Sequence, residues 1–208
     1  MPGLSPKKRD GRATFCFSSS RKVRYETFQN SLRPSVYTFL SLILLGTASL
    51  SSAGQTSPIS FPAAGPTVLG NKALLHGSQA CAPQNAPLAV KRAIWAANQL
   101  RTKPYRFGGG HHSFNDNAYD CSGTVSYMLA GAGLIKAPLS SSDLRKFGQQ
   151  GTGRWITVYA RNGHTFAVIA GLRLDTTPYI TGHDKWAPRW QATERKPAGF
   201  EARHPVGF

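Results

Sequence analysis

The sequence predicts an α+β domain with helices packed on an antiparallel sheet, and three observations carry that expectation. Apolar residues Val90, Ala93, Ile94, Ala97 and Leu100 recur at helical spacing. A second apolar stretch begins directly after Asp120, a good helix-capping residue. From Trp155 onward the chain turns β-branched and aromatic, with an Asn162-Gly163 hairpin signal. Two helices followed by a meander point to α+β rather than to a parallel α/β sheet.

Each element has its own signal. Asn85-Ala86-Pro87 reads as a helix start, with a capping residue and then proline in the first turn, so a helix is expected over 87–101. Lys103-Pro104 ends it. The loop PYRFGGGHHSFNDNAYD follows, and its three consecutive glycines allow close backbone approach. The second helix is expected from Asp120 or Cys121, with a stripe of Val125, Met128 and Leu129 and a stop at Gly131 and Gly133. A polar loop or short helix near Ser142–Phe147 comes next. Strands are expected over 155–160, 164–170 and 172–176, then a long loop over 178–197 containing Trp186 and Trp190, and a last strand over 200–205.

Composition sets the limits. The chain has 208 residues, 40% of them hydrophobic, with 25 Lys+Arg against 9 Asp+Glu and a net charge of +16. The apolar fraction excludes whole-chain disorder, and the length excludes two large domains. The 3 cysteines are too few for a disulfide framework. The basic excess predicts attraction to polyanions without choosing among nucleic acid, anionic lipid and an acidic wall polymer. Residues 1–53 read as a basic leader plus an apolar signal or anchor segment, Val36–Leu50, followed by small residues. That pattern predicts export and leaves open membrane anchoring through the apolar segment. Residues 54–85, rich in Pro, Gly and Ser, read as a linker, and 86–208 as the folded domain.

The chemistry gathers in three places. Cys121 opens a helix, where the positive helix end and unpaired N–H groups favour thiolate and can bind an oxyanion. His164 opens a strand at the sheet rim. If Ala170-Gly171 is a two-residue turn, Phe166 pairs with Asp175 and His164 with Thr177, so His164 and Asp175 share a face as diagonal neighbours. Taken singly, a buried structural cysteine, a turn histidine and a strand-end aspartate are the plainer readings. Together they form a nucleophile, base and orienter set. Zinc held by His111, His112, Cys121, His164 and Asp175 is the weaker alternative, because adjacent histidines do not readily chelate one ion.

PYRFGGG, then DCSGTVSYMLAGAGL, then NGHTFAVIAGLRLD resemble the NlpC family of papain-like cell-wall cysteine peptidases in order and spacing, over residues 88 to about 176. The resemblance implies a papain-like fold, with Cys121 as nucleophile, His164 as base and Asp175 as orienter. It places Tyr105 near the active site, and Asp120 and Ser122 along the substrate groove. It implies a monomer acting on peptidoglycan stem peptides through a thioester, typically after γ-D-glutamyl, with no cofactor. No metal is expected, and the basic residues are dispersed rather than gathered in a recognition stripe, which together with export argues against nucleic acid. An amidase or acyltransferase using the same Cys/His pair is the neighbouring reading. A silent wall-binding module is the other, with Cys121 blocked by pairing to Cys81. Three features depart from the family: an aspartate third residue where His, Asn or Gln is commoner, GRWITVYARNG before the histidine, and the 178–190 loop.

Overall fold

A computed structural model describes Cys16 and residues 59–177, 188–192 and 194–208. Within these, the segment expected to be a linker is built into the domain. β1 (Thr67–Val68), β2 (Leu74–His76) and β3 (Gln79–Pro83) form a sheet in the order β1-β3-β2, parallel between β1 and β3 and antiparallel between β2 and β3. Ala80, Cys81 and Ala82 of β3 are fully buried. Strands of two to five residues are too short to display alternation, and their small alanines, which look linker-like in composition, are what let β3 lie close against the first helix. Cys81 is also disulfide-bonded to Cys16, so part of the leader is tied covalently to this sheet. The apolar run 36–50 lies outside the described residues. Among the described residues, no helix is long and apolar enough to cross a membrane.

α1 (Leu88–Gln99) buries Val90, Ala93, Ile94 and Ala97, the face the period marks. Its N-cap is Pro87 with no side-chain cap, so Asn85 does not serve as one. Near its end, Asn98 Nδ2 donates to the Ala80 carbonyl, and Asn98 Oδ1 accepts from Ala80 N–H, each at 2.9 Å. α2 (Cys121–Gly131) starts at Asp120, whose carboxylate accepts the Gly123 N–H at 2.8 Å. All of its residues are buried, so it is a central helix rather than one with a single apolar stripe. Gly123 is required by packing: a Cβ there would collide with the Gly109 carbonyl, where the glycine loop lies on the first turn of α2. α3 (Ser141–Leu144) is a short helix closed by a Ser140–Asp143 capping box.

The second sheet has six strands: β4 (Gln149–Gln150), β5 (Ile156–Arg161), β6 (His164–Ile169), β7 (Leu172–Asp175), β8 (Arg189–Gln191) and β9 (Glu201–His204). Their order is β4-β9-β5-β6-β7-β8, antiparallel throughout. Ala170 and Gly171 have φ of 48° and 89°, the doubly left-handed turn that fits a tight hairpin. β6 and β7 therefore pair Ala167 with Leu174 and Ile169 with Leu172. One face of the sheet supplies Val158, Ala160, Ala167, Ile169 and Leu174 to a core shared with Ile94, Val125, Met128 and Leu129. The expected 178–197 loop is corrected in part. Arg189–Gln191 is a strand on β7, and Trp190 is buried with its indole N–H on Asn98 Oδ1 at 2.9 Å. A strand of three residues set in a polar stretch gives no period to read. The rest of that loop, with Trp186 and His183, lies outside the described residues. Two long helices preceding the six-stranded antiparallel sheet make the α+β arrangement that the sequence led us to expect.

Candidate active site

α2 packs against β6, so the helix that begins at Cys121 meets the strand that begins at His164. Cys121 is buried and carries the free thiol, while Cys81 is occupied by Cys16. The Cys121 thiol is close enough to His164 to act on its ionisation and favours the charged imidazole. The ring's Nε2 lies 3.2 Å from Asp175 Oδ1 and 3.0 Å from Thr177 Oγ1. Nδ1 is thus the nitrogen left for the thiol. Asp175 is fully buried, and its two oxygens have separate partners. Oδ1 accepts from Thr177 N–H and Oγ1–H, each at 2.9 Å, besides facing His164. Oδ2 accepts from Arg195 Nη1 at 2.8 Å and lies 3.8 Å from Arg173 Nε.

This environment shifts both groups. Burial disfavours the charged imidazole, but hydrogen bonds and charge from Asp175 and Cys121 outweigh it, and the His164 pKa is pushed up to about 9. Burial also works against the Asp175 carboxylate. The His164, Thr177 and Arg195 hydrogen bonds overcome it and hold the pKa at about 2. At neutral pH the site therefore contains a carboxylate beside an imidazolium. His204, on β9, places its Nδ1 3.2 Å from the Gly151 carbonyl.

Asp120 and Ser122 flank the thiol and are themselves buried. Asp120 accepts from Gly108 N–H at 3.0 Å, Gly123 N–H at 2.8 Å and Ser122 Oγ–H at 3.1 Å. His111 Nε2 reaches both residues, at 3.0 Å from Asp120 and 2.9 Å from Ser122, and is about one-third exposed. Tyr105 is half-buried near the thiol. Burial first, then the negative charge of Cys121 and Asp120, raises its hydroxyl pKa. Among the described residues no group of three or more His, Cys, Asp or Glu side chains could hold a metal ion.

The sequence reading missed Arg195, named Thr177 only as the cross-strand partner of His164, and gave His111 no role beyond the zinc alternative. His111 had a signal, since it directly follows the glycine run that packs on α2. Arg195 had none: it is one basic residue in a polar tail, brought to the site because β9 returns the chain to β5.

A thiol, an imidazole and a carboxylate are thus supplied by the start of α2 and by the strands β6 and β7. No family model matches the chain, and no curated protein does. Solved structures are similar in fold. The P60 domain of antigen MAP1204 from M. avium subspecies paratuberculosis shares 21% identity at a TM-score of 0.43, over 55% of this chain and 93% of that one. The peptidoglycan hydrolase RipB of Mycobacterium tuberculosis shares 21% at 0.44, over 58% and 66%. RipD of Mycobacterium tuberculosis, a non-catalytic NlpC/p60 domain protein adapted to peptidoglycan binding, shares 20% at 0.41, over 57% and 98%. The chain is similar in fold to NlpC/p60 domains, the family its motifs resemble.

Proposed function

We propose that this protein is an exported cysteine peptidase of the NlpC type that hydrolyses peptide bonds in peptidoglycan stem peptides. The observation that carries the reading is the position of His164, between the Cys121 thiol and the Asp175 carboxylate. In this reading His164 Nδ1 already holds the thiol's proton in the resting site, and the Cys121 thiolate attacks the scissile carbonyl. Gly123 and Thr124 N–H are already bonded to Asp120, so the N–H groups of Cys121 and Ser122 are the first-turn donors for the oxyanion. The imidazolium then gives its proton to the leaving amine, a thioester remains, and water activated by the same imidazole hydrolyses it. Asp175 holds Nε2 and stabilises the imidazolium throughout. Tyr105, Asp120 and Ser122, with His111 at the exposed edge, line the approach to the thiol. The aromatic-glycine stretch and the Asp-Cys-Ser-Gly motif support the wall peptide as substrate, and the basic chain suits an anionic wall polymer.

The alternative is a wall-binding module without turnover. The free Cys121 favours the enzyme, because the pairing with Cys81 that would silence it is replaced by Cys16–Cys81. The test is digestion of purified peptidoglycan by the full chain, with mass analysis of soluble fragments and Cys121→Ala as control. Fragments released by wild type alone are expected. Equal release by both proteins, or sedimentation with the wall and no release, sinks the peptidase reading.

A further inference from the structure

Arg195 is the site's unexplained cation. It stands on the C-terminal segment between β8 and β9, with its guanidinium 5.1 Å from the Phe166 ring and 5.2 Å from the Phe200 ring. That stacking fixes the plane of the fork and removes part of its hydration. Its Nη1 donates to Asp175 Oδ2 and to Thr177 Oγ1, each at 2.8 Å, and lies 3.3 Å from His164 Nε2. Nη1 and Nε2 are both donors when the imidazole is charged. They converge on opposite oxygens of one carboxylate, and neither bonds the other.

A buried aspartate that served His164 alone would hold the imidazolium very firmly. A firmly held proton suits thiolate formation but impedes the second step, in which the imidazolium must give that proton to the leaving amine. A second cation on the same carboxylate moderates this by drawing its charge away and by repelling the imidazolium directly. We propose that Arg195 is a positioning residue that shares the Asp175 carboxylate with His164, fixing Oδ1 toward Nε2 while limiting how tightly the imidazole keeps its proton. The proposal rests on the reading of Cys121, His164 and Asp175 as the reacting set.

The groups around His164 leave Arg195 as the adjustable one. Cys121 from α2 and Asp175 from β7 favour its charged form. Arg173, on β7, is buried against the far oxygen of Asp175. Arg161 on β5 is the cross-strand partner of His164, but its guanidinium lies over the Phe200 ring at 4.7 Å and the residue is exposed. Tyr105 and Asp120 act on the thiol side.

The test is an NMR titration of the His164 ring in the full-length protein, assigned with His164→Gln. Wild type is compared with Arg195→Gln, which keeps a donor but loses the charge, and Arg195→Lys, which keeps the charge but loses the fork. Removing a neighbouring positive charge makes the imidazolium easier to keep. The Gln variant's midpoint should therefore rise by about 0.5–1 pH unit, and the Lys variant's should stay within about 0.3. A Gln midpoint that is unchanged or lower, in a protein whose circular dichroism matches wild type, overturns the proposal. A Lys midpoint displaced as far as the Gln one also overturns it. Should the Gln variant not fold, the Lys variant still decides, since a displacement of half a unit or more there is incompatible with charge sharing. The titration needs no substrate, so failure to digest peptidoglycan and failure of this proposal are separate results.

Discussion

Replacing Asp175 with asparagine keeps the shape of the side chain and removes its charge, which makes it the sharpest perturbation of the site. In wild type the imidazole sits near 9 instead of 6.5 because contacts with Asp175 and Cys121 exceed the effect of burial. With asparagine, the thiol side alone opposes burial and two nearby guanidiniums, Arg195 and Arg173. The His164 midpoint should then fall by about two units or more. Titration of the ring by NMR between pH 5 and 10 reads this directly. A midpoint that stays near 9 in the variant would refute the claim that the carboxylate sets the ionisation of His164, and would return the role to another group. The same variant should lose most of its turnover on peptidoglycan while still being captured by the wall.

The consequence for stability has a definite sign. A raised imidazole pKa stabilises the folded state fully below 6.5, and the contribution fades as pH rises through about 9. The gap corresponds to roughly 3 kcal/mol at ~1.36 kcal/mol per unit, and solvent at the rim of the ring reduces the working figure to ~1–2 kcal/mol. The lowered Asp175 pKa contributes in the opposite window, present above 3.8 and lost as pH falls through about 2. In Asp175→Asn the half-buried Arg195 guanidinium also loses its charged hydrogen-bond acceptor, at a cost of about 2 kcal/mol. Urea unfolding should show the largest deficit against wild type at pH 5.5 and a smaller one at pH 9.5, by ~1–2 kcal/mol. A deficit that grows with pH contradicts the assignment.

Three further outcomes follow from packing and hydrogen bonding. Gly123→Ala should destabilise by about 1–3 kcal/mol in denaturant unfolding, and should slow alkylation of Cys121, because the added methyl pushes the glycine loop off the first turn of α2. Asn98→Ala should cost about 2–4 kcal/mol by the same measurement, since it strips partners from both backbone groups of Ala80 and from the Trp190 indole at once. Tyr105→Phe should leave the melting temperature nearly unchanged and alter turnover more than wall capture, as expected of a hydroxyl beside the thiol.

The parts legible in sequence are those where local chemistry agrees with the final contacts. Asp120 caps α2 because a carboxylate before an apolar run has the N–H groups of the next turn within reach. The β6–β7 register follows from a two-residue turn, and period-two geometry then puts His164 and Asp175 on one face without any tertiary information. What escaped the reading depends on long-range closure. β1, β2 and β3 are too short for a pattern, and β3 is recognisable only by its burial under α1. Trp190 looked like a loop aromatic until Asn98, 92 residues earlier, accepted its N–H. Arg195 reaches the site only because β9 pairs back onto β5. Local signals place Cys121, His164 and Asp175, whereas Arg195 and Phe200, which pack beside them, come from the last twenty residues.

The Cys16–Cys81 bond constrains the leader more tightly than composition does. Two thiols join only in one compartment, and an oxidising one favours them, which agrees with export. Yet the apolar run lies between these cysteines in the chain. A single membrane crossing by Val36–Leu50 would put them on opposite sides, so that crossing and the bond exclude each other. Cleavage near Ser51–Ala53 after bond formation would leave the leader held to the domain by sulfur alone. The bond closes a loop with a sequence separation of 65, worth about 4 kcal/mol in chain entropy, so Cys16→Ser should lower the melting temperature clearly. A peptide map of the mature protein without reductant should contain the linked Cys16 and Cys81 peptides, with Cys121 as the alkylatable thiol. A mature N-terminus beyond residue 53 together with an alkylatable Cys81 would refute the tether and restore the cleaved-leader reading.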